Sequence, residues 1–134
     1  MTKSNAEVVR DMYDAFNRGD LATATEALHP DAELHQHPGV VDTDVYYGRD
    51  GFARGFAFWL REWQEARFEP LEVDEVEGCV IMRVHVSGTG RVSGLQGTAE
   101  FFHAWTMRDG MPQRCFVRQE RDAAIAAARA ADAP

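Results

Sequence analysis

From Phe68 onward the apolar residues change their period. Up to Trp63 they recur at helical spacing, whereas Phe68 to Val76, Cys79 to Arg91, Leu95 to Met107 and Pro112 to Gln119 alternate and read as four consecutive strands. Glu77-Gly78, Ser93-Gly94 and Asp109-Gly110 punctuate them, and Asp-Gly between apolar runs is a strong hairpin signal. Helices followed by strands on tight turns predict an α+β fold with helices gathered on one sheet face. A strongly curved, mostly antiparallel sheet wrapped over three helices of the N-terminal half makes a cone, and the mouth of a cone is a natural pocket.

The helices carry their own signals. Val8, Met12 and Phe16, with Val9 and Tyr13 beside them, give one apolar face to a helix over 5–17. Gly19 closes it and Asp20 caps a second helix through Leu21, Ala24 and Leu28, which His29-Pro30 ends. Residues 32–37 read as a short strand and 38–49 as a loop. Asp50 is the expected N-cap of a third helix, whose face is Phe52, Phe56, Trp59, Leu60 and Trp63. An alanine-rich helix over 121–131 offers little to bury beyond Ile125 and is expected to fray. The whole chain, 1–134, reads as a single domain with its core over about 5–120.

Strand parity selects the candidate chemistry. In TAEFFHAWTMRDG the set Ala99, Phe101, His103, Trp105, Met107 is far more apolar than its complement, so it faces the helices and carries His103 inward. In the preceding strand Val80, Met82, Val84 and Val86 face in, leaving Arg83, His85 and Ser87 outside. An imidazole among aromatic side chains loses hydration, which disfavours its charged form. Such a neutral ring either takes and gives protons or merely satisfies a hydrogen bond in the core, and both readings stay open.

The segment AELHQHPG raises a second possibility, since His35 and His37 are two residues apart and His29 is close behind. A zinc site needs at least three protein ligands, and no HExxH motif or cysteine pair completes one, so no metal is expected. The bend favoured by Pro38 and Gly39 would let His37 turn into the pocket mouth, while His35 and His29 are expected in solvent. Tyr46 and Tyr47 either form a lid or cover the edge of the core.

Charge and cysteine use exclude several classes. Acidic residues outnumber basic ones 22 to 14, for a net charge of −8 without a basic patch, so neither nucleic acid nor an anionic membrane is an expected partner. Cys79 and Cys115 form no CxxC pair, in keeping with a reducing cytoplasm. The first residues, MTKSNAEVVRDMYDAF, have acidic side chains where a signal peptide needs an apolar run, and no segment has the roughly 18 apolar residues of a membrane span. A cytoplasmic protein is expected.

Three segments, YDAFNRGDLATATEALHPDAEL, YYGRDGFARGF and FFHAWTMRDG, together with the order of elements, resemble the nuclear-transport-factor-2-like superfamily, closest to its SnoaL-like branch. The resemblance covers about residues 5–131. It implies a conical α+β fold, a homodimer through the outer sheet face, a mostly apolar pocket, and, among the enzymes, chemistry done by a few side chains with no cofactor. Aligned with the ketosteroid isomerases of that superfamily, the first-helix tyrosine falls on Met12, the general base near Gln36 or His37, and the pocket acid on His103. Met12 cannot donate a hydrogen bond, so isomerase activity of that kind is not expected.

The resemblance thus implies a small enzyme that moves a proton on an apolar or polyketide-like ligand, as a cyclase, isomerase or dehydratase would. His103 and His37 would be its catalytic groups, and its pocket wall would be Met12, Phe16, Phe56, Trp59, Phe101, Trp105, Cys115 and Val117. A non-catalytic binder with the same wall, and a dimeric scaffold domain, are the alternatives.

Overall fold

A computed structural model of the chain describes residues 3–36 and 45–132, and for 56–62 and 132 the backbone alone. The elements run α1 (Asn5–Asn17), α2 (Leu21–Glu26), β1 (Glu33–His35), β2 (Val45–Tyr47), α3 (Gly48–Glu62), β3 (Trp63–Val76), β4 (Cys79–Gly90), β5 (Gln96–Arg108), β6 (Met111–Arg118) and α4 (Arg121–Asp132). The strands form one curved, unclosed sheet in the order β2-β1-β6-β5-β4-β3. β1 and β6 are parallel and the other neighbours antiparallel. Among the described residues no helix is long and apolar enough to cross a membrane.

Local chemistry explains the boundaries. The Ser4 side chain accepts from the Glu7 N–H to start α1, and Asp20 accepts from the Thr23 N–H to start α2, with Gly19 between them at φ 83°. Glu77-Gly78 and Asp109-Gly110 both have positive φ at two successive residues, the geometry of two-residue hairpins whose twist matches the flanking strands. Register then follows from alternation. Val80, Met82, Val84, Trp105, Cys115 and Val117 all face α1 to α3 and pack with Val9, Met12, Tyr13, Phe16, Leu28 and Phe52 in one buried cluster.

Several expectations are corrected. Residues 45–47 are a strand, not loop: β2 adds to the sheet edge because Tyr46 packs against α3, where Gly51 and Gly55 one turn apart leave room for it. The third helix begins at Gly48, placing Asp50 inside its first turn instead of at its cap. Trp63 does not continue the α3 face. It opens β3, which a bulge between Gln64 and Arg67 bends, and its indole lies over Gly97.

The helices are not all on one face. Ala124, Ile125 and Ala128 of α4 are buried against Cys79, Ile81, Ala104 and Phe116, the opposite parity of β4 to β6, so α4 covers the outer face. Alanine suits this place, since a helix with little side chain can lie close on a sheet. The remaining outer face is polar, with Arg83 bridging Glu72 at 3.0 Å and Glu100 at 2.5 Å.

Candidate active site

Three side chains meet in the inner core where α1 crosses β5. Tyr13 lies on the buried face of α1, with Val9 and Phe16 at helical spacing around it. His103 and Trp105 are two apart on β5, so both reach that face, flanked by Met82 and Val117 across the ladder from His103. A fixed docking of α1 on the sheet holds the arrangement: Asn17 exchanges two 2.9 Å hydrogen bonds with the Phe68 backbone, and Phe16 stacks on Phe68 at 5.0 Å.

The Tyr13 hydroxyl lies 2.5 Å from Nδ1 of His103, and Trp105 Nε1 donates to the same hydroxyl oxygen at 3.0 Å. Phe52 stacks on the Trp105 ring at 5.7 Å and locks the indole from behind. The His103 residue is 8% exposed, and burial pushes its imidazole down to about 4, so the ring is neutral at physiological pH. Burial raises the Tyr13 phenol well above its usual range, with the nearby Cys115 adding to this and the Trp105 hydrogen bond opposing it. Burial likewise pushes the Cys115 thiol up, which leaves it inert as a nucleophile. The chemistry available is that of a neutral imidazole in an apolar wall.

Of the residues the sequence nominated, Met12, Phe16, Trp105, Cys115 and Val117 are buried together in this cluster, and Phe101 is partly buried against it. Phe56 and Trp59 have side chains outside the described set, and His37 lies outside the described residues. Where Trp63 lies over β4 and β5 a hollow of about 110 Å³ is lined by Trp63, Ala66, Val86, Gly88, Gly97 and Ala99, and it too lacks His103 and Tyr13. Two larger hollows, of about 310 and 490 Å³, lie beside α4 on the outer face and contain neither His103 nor Tyr13, so size alone does not locate the chemistry.

Tyr13 is the residue that sequence reasoning passed over. Positions 12 and 13 both fall on the buried face of α1, so the pattern does not say which one reaches the pocket histidine. The structure gives that contact to Tyr13, one residue beyond the Met12 position that the resemblance implies, so a hydroxyl is present even though Met12 has none.

His29 and His35 have structural surroundings and not the solvent expected of them. His29 Nδ1 accepts from the Asp31 N–H at 3.0 Å, and its Nε2 is 3.8 Å from Asp109, so it ties the helix exit to the β5–β6 hairpin. His35 stacks on Phe116 at 4.5 Å and bonds Glu33 at 2.9 Å on the outer face. Tyr46 covers the core edge, while Tyr47 is exposed. Among the described residues no three His, Cys, Asp or Glu side chains gather to hold a metal ion.

Comparison with known proteins agrees with this architecture. No curated protein is significantly similar in sequence. Solved structures are: TerC, co-crystallised with polyporic acid, is 25% identical with a TM-score of 0.75, over 89% of this chain and 93% of that one. An NTF2-like protein from Burkholderia thailandensis is 22% identical with a TM-score of 0.80, over 96% and 98%. IdmH from Streptomyces antibioticus, a candidate polyketide cyclase, is 19% identical with a TM-score of 0.76, over 92% and 97%. The family model for the SnoaL-like domain matches residues 9–114, and the chain belongs to that family.

Proposed function

We propose that this SnoaL-like protein is a cofactor-independent enzyme that moves a proton on an apolar or polyketide-like small molecule held in the cone. His103 is the group that meets the ligand and His37 is a second candidate. Met12, Phe16, Phe56, Trp59, Phe101, Trp105, Cys115 and Val117 form the wall. The observation that carries this reading is a neutral imidazole set among apolar side chains, hydrogen-bonded at one ring nitrogen by Tyr13. The names of similar proteins lend support: TerC was crystallised with polyporic acid, and IdmH is a candidate polyketide cyclase. We also propose that the protein works as a homodimer, joined through the part of the outer sheet face that α4 leaves bare.

A non-catalytic binder is the second reading, favoured by the way Tyr13, Trp105 and His103 satisfy one another as a purely structural network would. Native mass spectrometry of freshly purified protein identifies any copurified ligand and supplies the assay. Against that compound, His103→Gln is expected to lower turnover by about two to four orders of magnitude while binding survives. Unchanged turnover removes His103 from the mechanism. A wild-type protein that binds the ligand and never alters it is a binder.

A further inference from the structure

The hydrogen bonds around Tyr13 decide which nitrogen of His103 carries the hydrogen. The indole N–H is only ever a donor, so Trp105 gives its hydrogen to the Tyr13 oxygen. The tyrosine's own hydrogen then has one acceptor among the described residues, Nδ1 of His103. If Nδ1 carried a hydrogen instead, it would donate to the tyrosine oxygen and the hydroxyl hydrogen would have to turn away. The buried hydroxyl would then also lack an acceptor, a situation that costs about 1–3 kcal/mol. The chain therefore runs one way, from Trp105 through Tyr13 to His103, and leaves the hydrogen of the neutral ring on Nε2.

Nε2 is also the accessible atom. Among the described residues no buried side-chain nitrogen or oxygen lacks a hydrogen-bond partner. The His103 bond is made at Nδ1, so the small exposed part of the residue includes Nε2.

We propose that Tyr13 and Trp105 are positioning residues that hold His103 with its hydrogen on Nε2, so that it meets the ligand as a hydrogen-bond donor, and that the ligand presents a carbonyl or enolate oxygen there. The catalytic meaning of this rests on the function proposed above; the position of the hydrogen does not. Donation stops short of transfer. For Nε2 to surrender its proton, Nδ1 would have to take the Tyr13 hydrogen in the same movement, leaving a buried tyrosinate held by one indole N–H. Burial makes that ion unfavourable. His103 then polarises an oxygen, and a different group removes a proton from carbon.

Long-range proton–nitrogen correlation spectra of 15N-labelled, ligand-free protein at pH 7 show which nitrogen of each imidazole carries hydrogen. The resonances missing in His103→Gln assign this ring. Hydrogen on Nε2 with a bare Nδ1 is expected, and hydrogen on Nδ1 would overturn the proposal. Tyr13→Phe keeps the ring and removes the hydroxyl. It is expected to mix the two tautomers and to raise the midpoint of His103 titration, because the lost bond is one that only a neutral Nδ1 accepts. An unchanged spectrum in a folded variant would overturn the positioning role, and if the variant does not fold, the wild-type spectrum still decides the direction. For the ligand, 1-tetralone is expected to bind about tenfold more tightly than tetralin, the value of one hydrogen bond of ordinary strength. Equal binding, or binding of neither, overturns the carbonyl assignment. A ring with hydrogen on Nε2 together with unchanged turnover in His103→Gln would remove His103 from the mechanism and leave the hydrogen-bond order standing.

Discussion

Acid should destabilise this protein through His103 well before its carboxylates protonate. In the unfolded chain the imidazole has its ordinary value of 6.5, and in the folded protein burial brings it down to about 4. At pH 7 the folded ring is neutral and the unfolded ring largely so, and the group contributes little to the pH dependence. As the pH falls below 6.5 the unfolded ring takes up a proton that the folded ring refuses, so the unfolded state gains and stability falls. The loss amounts to about 2 kcal/mol by pH 5 and levels off at about 3 kcal/mol below the folded value, where both states hold the proton. Denaturant unfolding of wild type and His103→Gln between pH 7 and 4 measures it. Glutamine does not titrate, and the other ionisable groups are common to both proteins, so the difference between the two curves isolates the imidazole. Wild type is expected to lose about 2 kcal/mol more than the variant on going from pH 7 to 5. Parallel curves over that interval would refute the burial argument, and with it the neutral, water-shielded ring on which the proposed chemistry stands.

A Cβ added at Gly97 would come within 2.8 Å of two ring carbons of Trp63, well inside the usual 3.5–4.0 Å carbon contact, so Gly97→Ala must shift the indole. The expected cost is about 1–3 kcal/mol, read from the denaturation midpoint together with a change in tryptophan fluorescence, and an unaltered emission spectrum would show that the ring does not sit on the glycine. Sedimentation at micromolar concentration is expected to show twice the 15.0 kDa chain mass, and a single species at the chain mass would rule out the dimer.

Much of the architecture was legible because it rests on local rules. The end of α1, the Asp20 cap, and the Glu77-Gly78 and Asp109-Gly110 turns are written in residues whose backbone preferences leave few alternatives. Alternation along 99–107 foretold that His103 faces α1, since a period of two permits only that face once Trp105 is buried. What misled was context. Alanines with little to bury looked like a fraying helix, yet α4 is held by an outer sheet face whose Ile81, Ala104 and Phe116 need cover. Tyr46 looked like loop until α3 supplied the surface it packs on. His29 looked exposed because its partners, Asp31 and Asp109, include one from the far end of the chain.

By itself the sequence determined the order of elements apart from β2, the inward parity of β4 and β5, and the apolar setting of one histidine, because periodicity and turn chemistry act over a few residues. Only the tertiary structure decided that α4 crosses to the outer face, that Trp63 lies over Gly97, and that Tyr13 instead of Met12 reaches His103. These contacts join residues as much as 90 positions apart, as Tyr13 and His103 are. They depend on how a helix rotates as it docks on the sheet, and no local pattern records that angle.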